Sequence, residues 1–188
     1  MSSSLYIEPI APESVLRESA DKEDLSLVDG FASEHRRREV LAWRAIVRRE
    51  LGEGVKISHD ENGAPQVDTP YTYISVSHSK DMVAVMLSDR PCAVDIESTA
   101  RDFRKVAKHY LTEEEMALAE QYDIFAEMWC AKEALYKYYK KGSLDLVKHI
   151  SIGDYDSDRG VLRCSILGSE PIEVKVKREG ILAIAVID

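Results

Sequence analysis

The stretch Ile124-Phe-Ala-Glu-Met-Trp-Cys-Ala-Lys-Glu-Ala-Leu-Tyr-Lys-Tyr-Tyr-Lys-Lys141 decides the fold, and it reads as one helix over residues 124–141. Trp129, Glu133 and Lys137 stand four residues apart, a spacing that sets a ring, a carboxylate and an ammonium on one stripe. Apolar residues fill most other positions and predict a largely buried helix. Upstream, Ala93-Val-Asp-Ile-Glu97 reads as a short strand. Its period of two sends Val94 and Ile96 to one face and Asp95 and Glu97 to the other. Two carboxylates from a strand and one from a helix make a candidate site for a hard divalent cation. A neighbouring lysine is a candidate for phosphate oxygens held by the same cation.

Working outward, residues 4–10 read as a first strand and 11–30 as a loop with helical turns. Phe31, Val40, Leu41, Trp43, Ile46, Val47 and Leu51 keep a helical period, and Gly52 ends that helix. Val55–His59, Thr72–Ser77, Met82–Leu87 and Ala93–Glu97 read as strands, with a turn at Asn62-Gly63-Ala64-Pro65. Short connections predict antiparallel pairing. Phe103–Tyr110 reads as helical, and Thr112-Glu-Glu-Glu115 as a capping box opening another helix. Four strands close the chain: His149–Tyr155, Gly160–Leu167, Pro171–Lys177 and Ile181–Ile187. Each half then holds a long helix with a tryptophan and a set of strands. The expected fold is α+β: two similar lobes, residues 1–98 and 99–188, related by a pseudo-twofold axis as one compact unit. Each lobe lays a long helix on a small antiparallel sheet.

The chain has 188 residues, with 45% hydrophobic and 31% charged, the balance of a globular protein. A net charge of −9 argues against general affinity for nucleic acid. No apolar run reaches the roughly 18–20 residues of a membrane span. The first residues lack a secretory pattern, so the cytoplasm is the expected compartment. Cys92, Cys130 and Cys164 have no metal-type spacing and read as reduced thiols. Against the acidic background, residues 34–50 carry Arg36, Arg37, Arg38, Arg44, Arg48 and Arg49, a basic face suited to an anionic ligand.

Each chemical signal has a plain counterpart. An Asp-x-Glu strand is commonly a solvated face, Glu133 with Lys137 is a favoured helix ion pair, and a helical tryptophan is commonly core. In Ile74-Ser-Val-Ser-His-Ser79, hydroxyls, amides and an imidazole at a strand end can hold a phosphate, or form an ordinary polar turn. A Ser77–His78 nucleophile pair is disfavoured, because adjacent strand residues point to opposite faces.

Taken together and in order, Ile74–Ser79, Ala93–Glu97 and Trp129-Cys-Ala-Lys-Glu-Ala-Leu-Tyr-Lys137 resemble the signature of the 4'-phosphopantetheinyl transferases. The monomeric, two-lobed type that activates peptide and polyketide synthases fits best, over residues 31 to about 145. The resemblance implies transfer of 4'-phosphopantetheine from coenzyme A to a serine of an apo acyl or peptidyl carrier protein. It implies Asp95, Glu97 and Glu133 as magnesium ligands and Lys137 beside the transferred phosphate. Ser77 and His78 would contact coenzyme A phosphates, Arg36, Arg37 and Arg38 would meet its 3'-phosphate end, and Lys132 would join the coenzyme-binding set. Glu115 matches a family acid proposed as base, with a metal-held water as the other acceptor. Three departures stand out. Gly63-Ala64-Pro65 replaces a glycine-lysine-proline, Ala93 replaces a glycine, and Lys140-Lys141-Gly142-Ser143-Leu144 replaces a glycine-x-glycine-leucine. The competing readings are a non-catalytic coenzyme A-binding module and a structural domain.

Overall fold

The computed structural model describes residues 3–69, 72–140 and 143–188. The chain divides into two units, Met1–Arg90 and Pro91–Asp188, both mixtures of helices and antiparallel sheet. The fold class is α+β.

The first unit runs β1 (Ser4–Pro9), α1 (Glu13–Glu18), α2 (Lys22–Asp29), α3 (Glu34–Leu51), β2 (Ile57–His59), β3 (Pro65–Val67), β4 (Tyr73–Ser79) and β5 (Met82–Ser88). Its sheet has the order β1-β5-β4, and β2 and β3 form a separate ladder. The Ser33 hydroxyl accepts from the Arg36 amide and caps α3. Gly52, at φ 102°, ends α3 in a conformation that side chains disfavour. Val40, Leu41, Trp43 and Val47 of α3 pack with Ile74, Val83, Val85 and Leu87 of the sheet. Residues 11–30 hold two defined helices where the sequence suggests a loop with helical turns. Asp21 caps α2 by accepting from the Glu23 amide.

The second unit runs β6 (Ala93–Ser98), a 3-10 turn at Arg104–His109, α4 (Glu113–Tyr122), α5 (Phe125–Tyr139), β7 (Ile150–Asp156), β8 (Val161–Ile166), β9 (Ile172–Glu179) and β10 (Leu182–Ile187). Its five strands have the order β6-β10-β9-β8-β7. The capping box is formed: the Thr112 hydroxyl accepts from the Glu115 amide, and the Glu115 carboxylate accepts from the Thr112 amide. α5 packs on β6 and β10. Met128, Cys130, Ala131, Ala134 and Leu135 are fully buried, and side chains such as Met128 and Leu135 stabilise by on the order of 1.5–3 kcal/mol each. The expected end of this helix, Lys141, lies outside the described residues.

Ala93–Ser98, read from sequence as the last strand of the first lobe, does not pair with β5. It pairs antiparallel with β10 and belongs to the second unit. The division therefore falls before β6 rather than after it. Among the described residues no helix is long and apolar enough to cross a membrane. All three cysteines are buried free thiols.

Candidate active site

β6 carries Asp95 and Glu97 with the expected alternation. Their partners across the ladder are Ala185 and Ala183, both fully buried. Small side chains at those two positions leave room for α5 to lie over this face. Asp95 is 5% exposed, and Lys137 Nζ donates to its Oδ1 at 2.8 Å and to the Val94 carbonyl at 3.1 Å. Glu97 is half-buried, 3.8 Å from the Arg101 guanidinium. Glu133 is half-buried one turn before Lys137. Burial pushes its carboxyl above the usual range; the charge of Asp95 adds to this, Lys137 opposes it, and Glu97 adds again.

Asp95 and Glu97 thus both act on Glu133, and a cation there would offset that repulsion. An all-oxygen donor set suits a hard divalent ion rather than a soft one. Among the described residues, no three carboxylate, imidazole or thiol groups converge closely enough to chelate an ion as placed. The ammonium of Lys137 is the cation on Asp95 in this arrangement.

Trp129 shares the α5 stripe but serves packing. Its ring meets Tyr110 edge-on at 5.0 Å and Phe103 at 5.8 Å, and the Arg101 guanidinium lies over it at 5.1 Å. These contacts fix the rotation of α5 about its axis, and with it the aim of Glu133 and Lys137.

Glu115 and Lys132, expected as base and in the coenzyme-binding set, stand together in the interior of the second unit. Lys132 is fully buried, and its Nζ donates to Glu115 Oε2 at 2.6 Å and to the Leu146 and Ile150 carbonyls at 2.8 and 2.9 Å. Glu115 is 3% exposed; it also accepts from the Ile152 amide at 2.7 Å and from the Thr112 amide. With three oxygen partners and no exposure, this ammonium is committed to the interior. The carboxylate is engaged by one ammonium and two backbone amides. The pair ties α4 and α5 to β7 and to the segment before it. Burial pulls the Lys132 ammonium below the usual lysine range, against the pull of Glu115.

In the first unit the basic face of α3 is mostly committed to structure. Arg44 and Arg48 are buried around the buried Asp24 of α2. Arg48 donates to its two oxygens at 2.7 and 2.9 Å and Arg44 to one of them. Arg49 pairs with Glu8 and Glu50. Arg37 holds Glu13 and the Phe31 and Ala32 carbonyls, and Arg38 holds the Ile10 and Ala11 carbonyls and Asp81. Of the three arginines expected at a ligand, Arg36 stands apart, half-exposed with its Nη1 3.4 Å from His78 Nε2. His78 lies on the face of β4 toward α3. Ser77 lies on the opposite face and is buried, so these two are not brought together. Glu39 and Asp24 are buried acids that sequence reasoning did not single out. Glu39 closes a run of basic residues and Asp24 lies in a short acidic stretch, and neither is legible as a buried acid until its partner elements are known.

At Ala64, in place of a lysine, the amide donates to Asp60 Oδ1, and the next residue opens β3. At Ala93, in place of a glycine, the side chain is buried opposite Ile187 without disturbing the ladder. Lys141 and Gly142 of the third departure lie outside the described residues.

The family model of the 4'-phosphopantetheinyl transferase superfamily matches residues 91–185, a span that begins where the second unit begins. The chain is also 32% identical over 109 residues to "4'-phosphopantetheinyl transferase Sfp" of Bacillus subtilis (strain 168), a stretch covering 53% of this chain and 49% of that protein. The match spans about half the length of that curated relative. With the match extending over half of its residues, and over the whole of β6 and α5, the chain belongs to the 4'-phosphopantetheinyl transferase superfamily.

Proposed function

We propose that this protein transfers the 4'-phosphopantetheine arm of coenzyme A to a serine hydroxyl of an apo acyl or peptidyl carrier protein, giving the holo form. The observation that carries the reading is Lys137 of α5 seated on the buried Asp95 of β6, with the charges of Asp95 and Glu97 reaching Glu133. It lies within the unit that matches the family.

The chemical difficulty is attack by a neutral hydroxyl on an anionic pyrophosphate. Asp95, Glu97 and Glu133 would hold a divalent cation, magnesium by the hardness of its donors. When bound, such an ion supplies charge neutralisation at phosphoryl oxygens. Lys137 would move from Asp95 toward the phosphoryl oxygens and steady the charge that develops on the departing 3',5'-ADP. Trp129 keeps α5 in register for both tasks. Arg36 and His78 would bind coenzyme A through its phosphates. Glu115 and Lys132 hold the helices and take no part in proton transfer.

The reading includes a cytoplasmic enzyme that works as a monomer through an internal duplication. The outline shared by the units, α3 on the first sheet and α5 on the second, supports it. A coenzyme A-binding module without chemistry is the second reading, and Lys137 seated on Asp95 is compatible with it.

Thermal melting tests the ligand and the ion together. Coenzyme A with magnesium raises the melting temperature well above coenzyme A with EDTA, and Asp95→Asn abolishes the difference. Equal shifts with and without metal in the wild-type protein would refute the metal assignment.

A further inference from the structure

The turn after β6 brings one arginine beside the acid cluster. Its backbone is pinned. The Thr99 amide and hydroxyl donate to the Ile181 carbonyl at 2.8 and 3.1 Å, and the Arg101 amide donates to the Ser98 carbonyl at 3.1 Å. The Arg101 side chain then lies over two rings, with its Cζ 4.8 Å from the centre of Phe103 and 5.1 Å from that of Trp129. Such a seat holds a guanidinium by its face and fixes where its charge stands. Other arginines of this unit grip their acids directly. Arg178 donates to Glu127 at 2.7 and 3.1 Å, and Arg104 meets both Glu120 oxygens at 2.6 Å. Arg101 stands off, its Nη1 3.8 Å from Glu97 Oε1, and its side chain is 50% exposed. It acts on Glu97 as a nearby positive charge rather than as a hydrogen-bonded partner.

Lys137 stands on Asp95, so each of the two β6 acids has a protein cation at hand. A divalent ion arriving alone meets both positive charges at close range. Magnesium, which gives up its water reluctantly and is commonly held by one or two carboxylates together with substrate phosphates, gains little there by itself. A pyrophosphate brings negative charge of its own, and the same two cations attract it.

We propose that Arg101 sets the order of binding at the acid cluster: its charge disfavours the bare divalent ion and favours the pyrophosphate, so that ion and nucleotide enter together. The inference rests on the coenzyme A reading and deepens it, naming the metal-bound pyrophosphate as the species that the cluster takes. Arg101 lies between the Ala93–Glu97 and Trp129–Lys137 blocks and belongs to neither.

The test compares wild type, Arg101→Met and Arg101→Lys at one fixed ionic strength. Methionine keeps an unbranched chain over the rings without the charge, and lysine keeps the charge without the planar face. Manganese(II), an oxygen-seeking stand-in for magnesium, is titrated without nucleotide and read by electron paramagnetic resonance. Coenzyme A is titrated by calorimetry in EDTA. Arg101→Met binds manganese about fivefold or more tighter and coenzyme A about threefold or more weaker. Arg101→Lys stays near wild type in both. Shifts of opposite sign are the signature of charge, whereas a merely structural role would weaken both. Circular dichroism and melting in EDTA establish that each variant is folded. A folded Arg101→Met protein with both affinities unchanged, or with both weakened, would overturn the proposal. Wild-type protein that binds no coenzyme A, with or without metal, would overturn the coenzyme A reading itself, a result distinct from a variant that matches a binding-competent wild type.

Discussion

Lys137 Nζ stands 2.8 Å from Asp95 Oδ1 and 3.1 Å from the Val94 carbonyl, so one ammonium joins α5 to β6 at the acid cluster. Asp95 is almost wholly buried and Lys137 is partly exposed. Replacing Lys137 by methionine removes the donor while keeping the stem. Folding stability falls by about 1–3 kcal/mol, because a buried carboxylate loses a partner. Turnover falls by about 10²–10³, the scale for removing one donor at a developing charge. Urea melts and initial rates separate the two effects; a variant with near-normal turnover would remove Lys137 from the chemistry.

Glu133 behaves in the opposite sense. Its carboxyl is raised first by burial and then by Asp95, so in the metal-free protein its charge opposes folding. A raised carboxylate binds its proton more tightly when folded. Its contribution is therefore favourable at low pH and fades as pH climbs from the unfolded pKa through the folded one. Glu133→Gln should raise the melting temperature at neutral pH without metal, and abolish the further rise on adding magnesium. A lower melting temperature in EDTA would show that Glu133 is not under the strain described.

Glu115 and Lys132 form a closed buried pair, and removing either partner strands a charge. Lys132→Met and Glu115→Gln should each cost about 3–5 kcal/mol, with part of the loss recovered in the double variant. The turnover of folded Glu115→Gln, corrected for the folded fraction at low temperature, should stay within about tenfold of wild type. A general base would lose roughly 10²–10⁴. Rates across temperature, read beside circular dichroism, distinguish the strut from the base.

Asp24 is the matching feature of the first unit. Burial alone would raise its carboxyl, but hydrogen bonds from Arg48 and Arg44 outweigh burial and lower it. A depressed carboxylate gives its stabilisation above the unfolded pKa and loses it as pH falls through the folded one. Acid unfolding of this unit should begin as pH drops below about 4, near the ordinary carboxylate value. Asp24→Asn should destabilise by about 3–5 kcal/mol at neutral pH, since it leaves two buried guanidinium groups short of charge. Trp43 lies in this unit and Trp129 in the other, so Trp129→Phe provides a background whose fluorescence reports the first unit.

Local pattern carried most of the elements and the alternation that sets Asp95 and Glu97 on one face of β6. The alternation of Ala93–Glu97, the four-residue spacing on α5 and the capping box at Thr112 are short-range features, and each is in place. Pairings set by distant segments were not legible. β6 joins β10 rather than β5, and nothing within Ala93–Glu97 states that preference. The arginine run from Arg36 to Arg49 suggests a binding face, yet Arg44 and Arg48 turn inward because Asp24 arrives from another helix to neutralise them. β3 begins on Pro65, which reads as turn chemistry; a two-stranded ladder tolerates it because a proline at a strand start need not donate. Glu115 carries the sharpest lesson. The capping-box pattern announces its structural task, and Lys132 completes that task from α5.

The most direct test of the central claim is the intact mass of an apo carrier protein after incubation with this protein, coenzyme A and magnesium, beside an EDTA control and a Glu133→Ala control. The account predicts a gain of one phosphopantetheine on the carrier, lost in both controls. No gain on several unrelated carriers, with folded protein that binds coenzyme A, would contradict the transferase reading and leave the coenzyme A-binding module in its place.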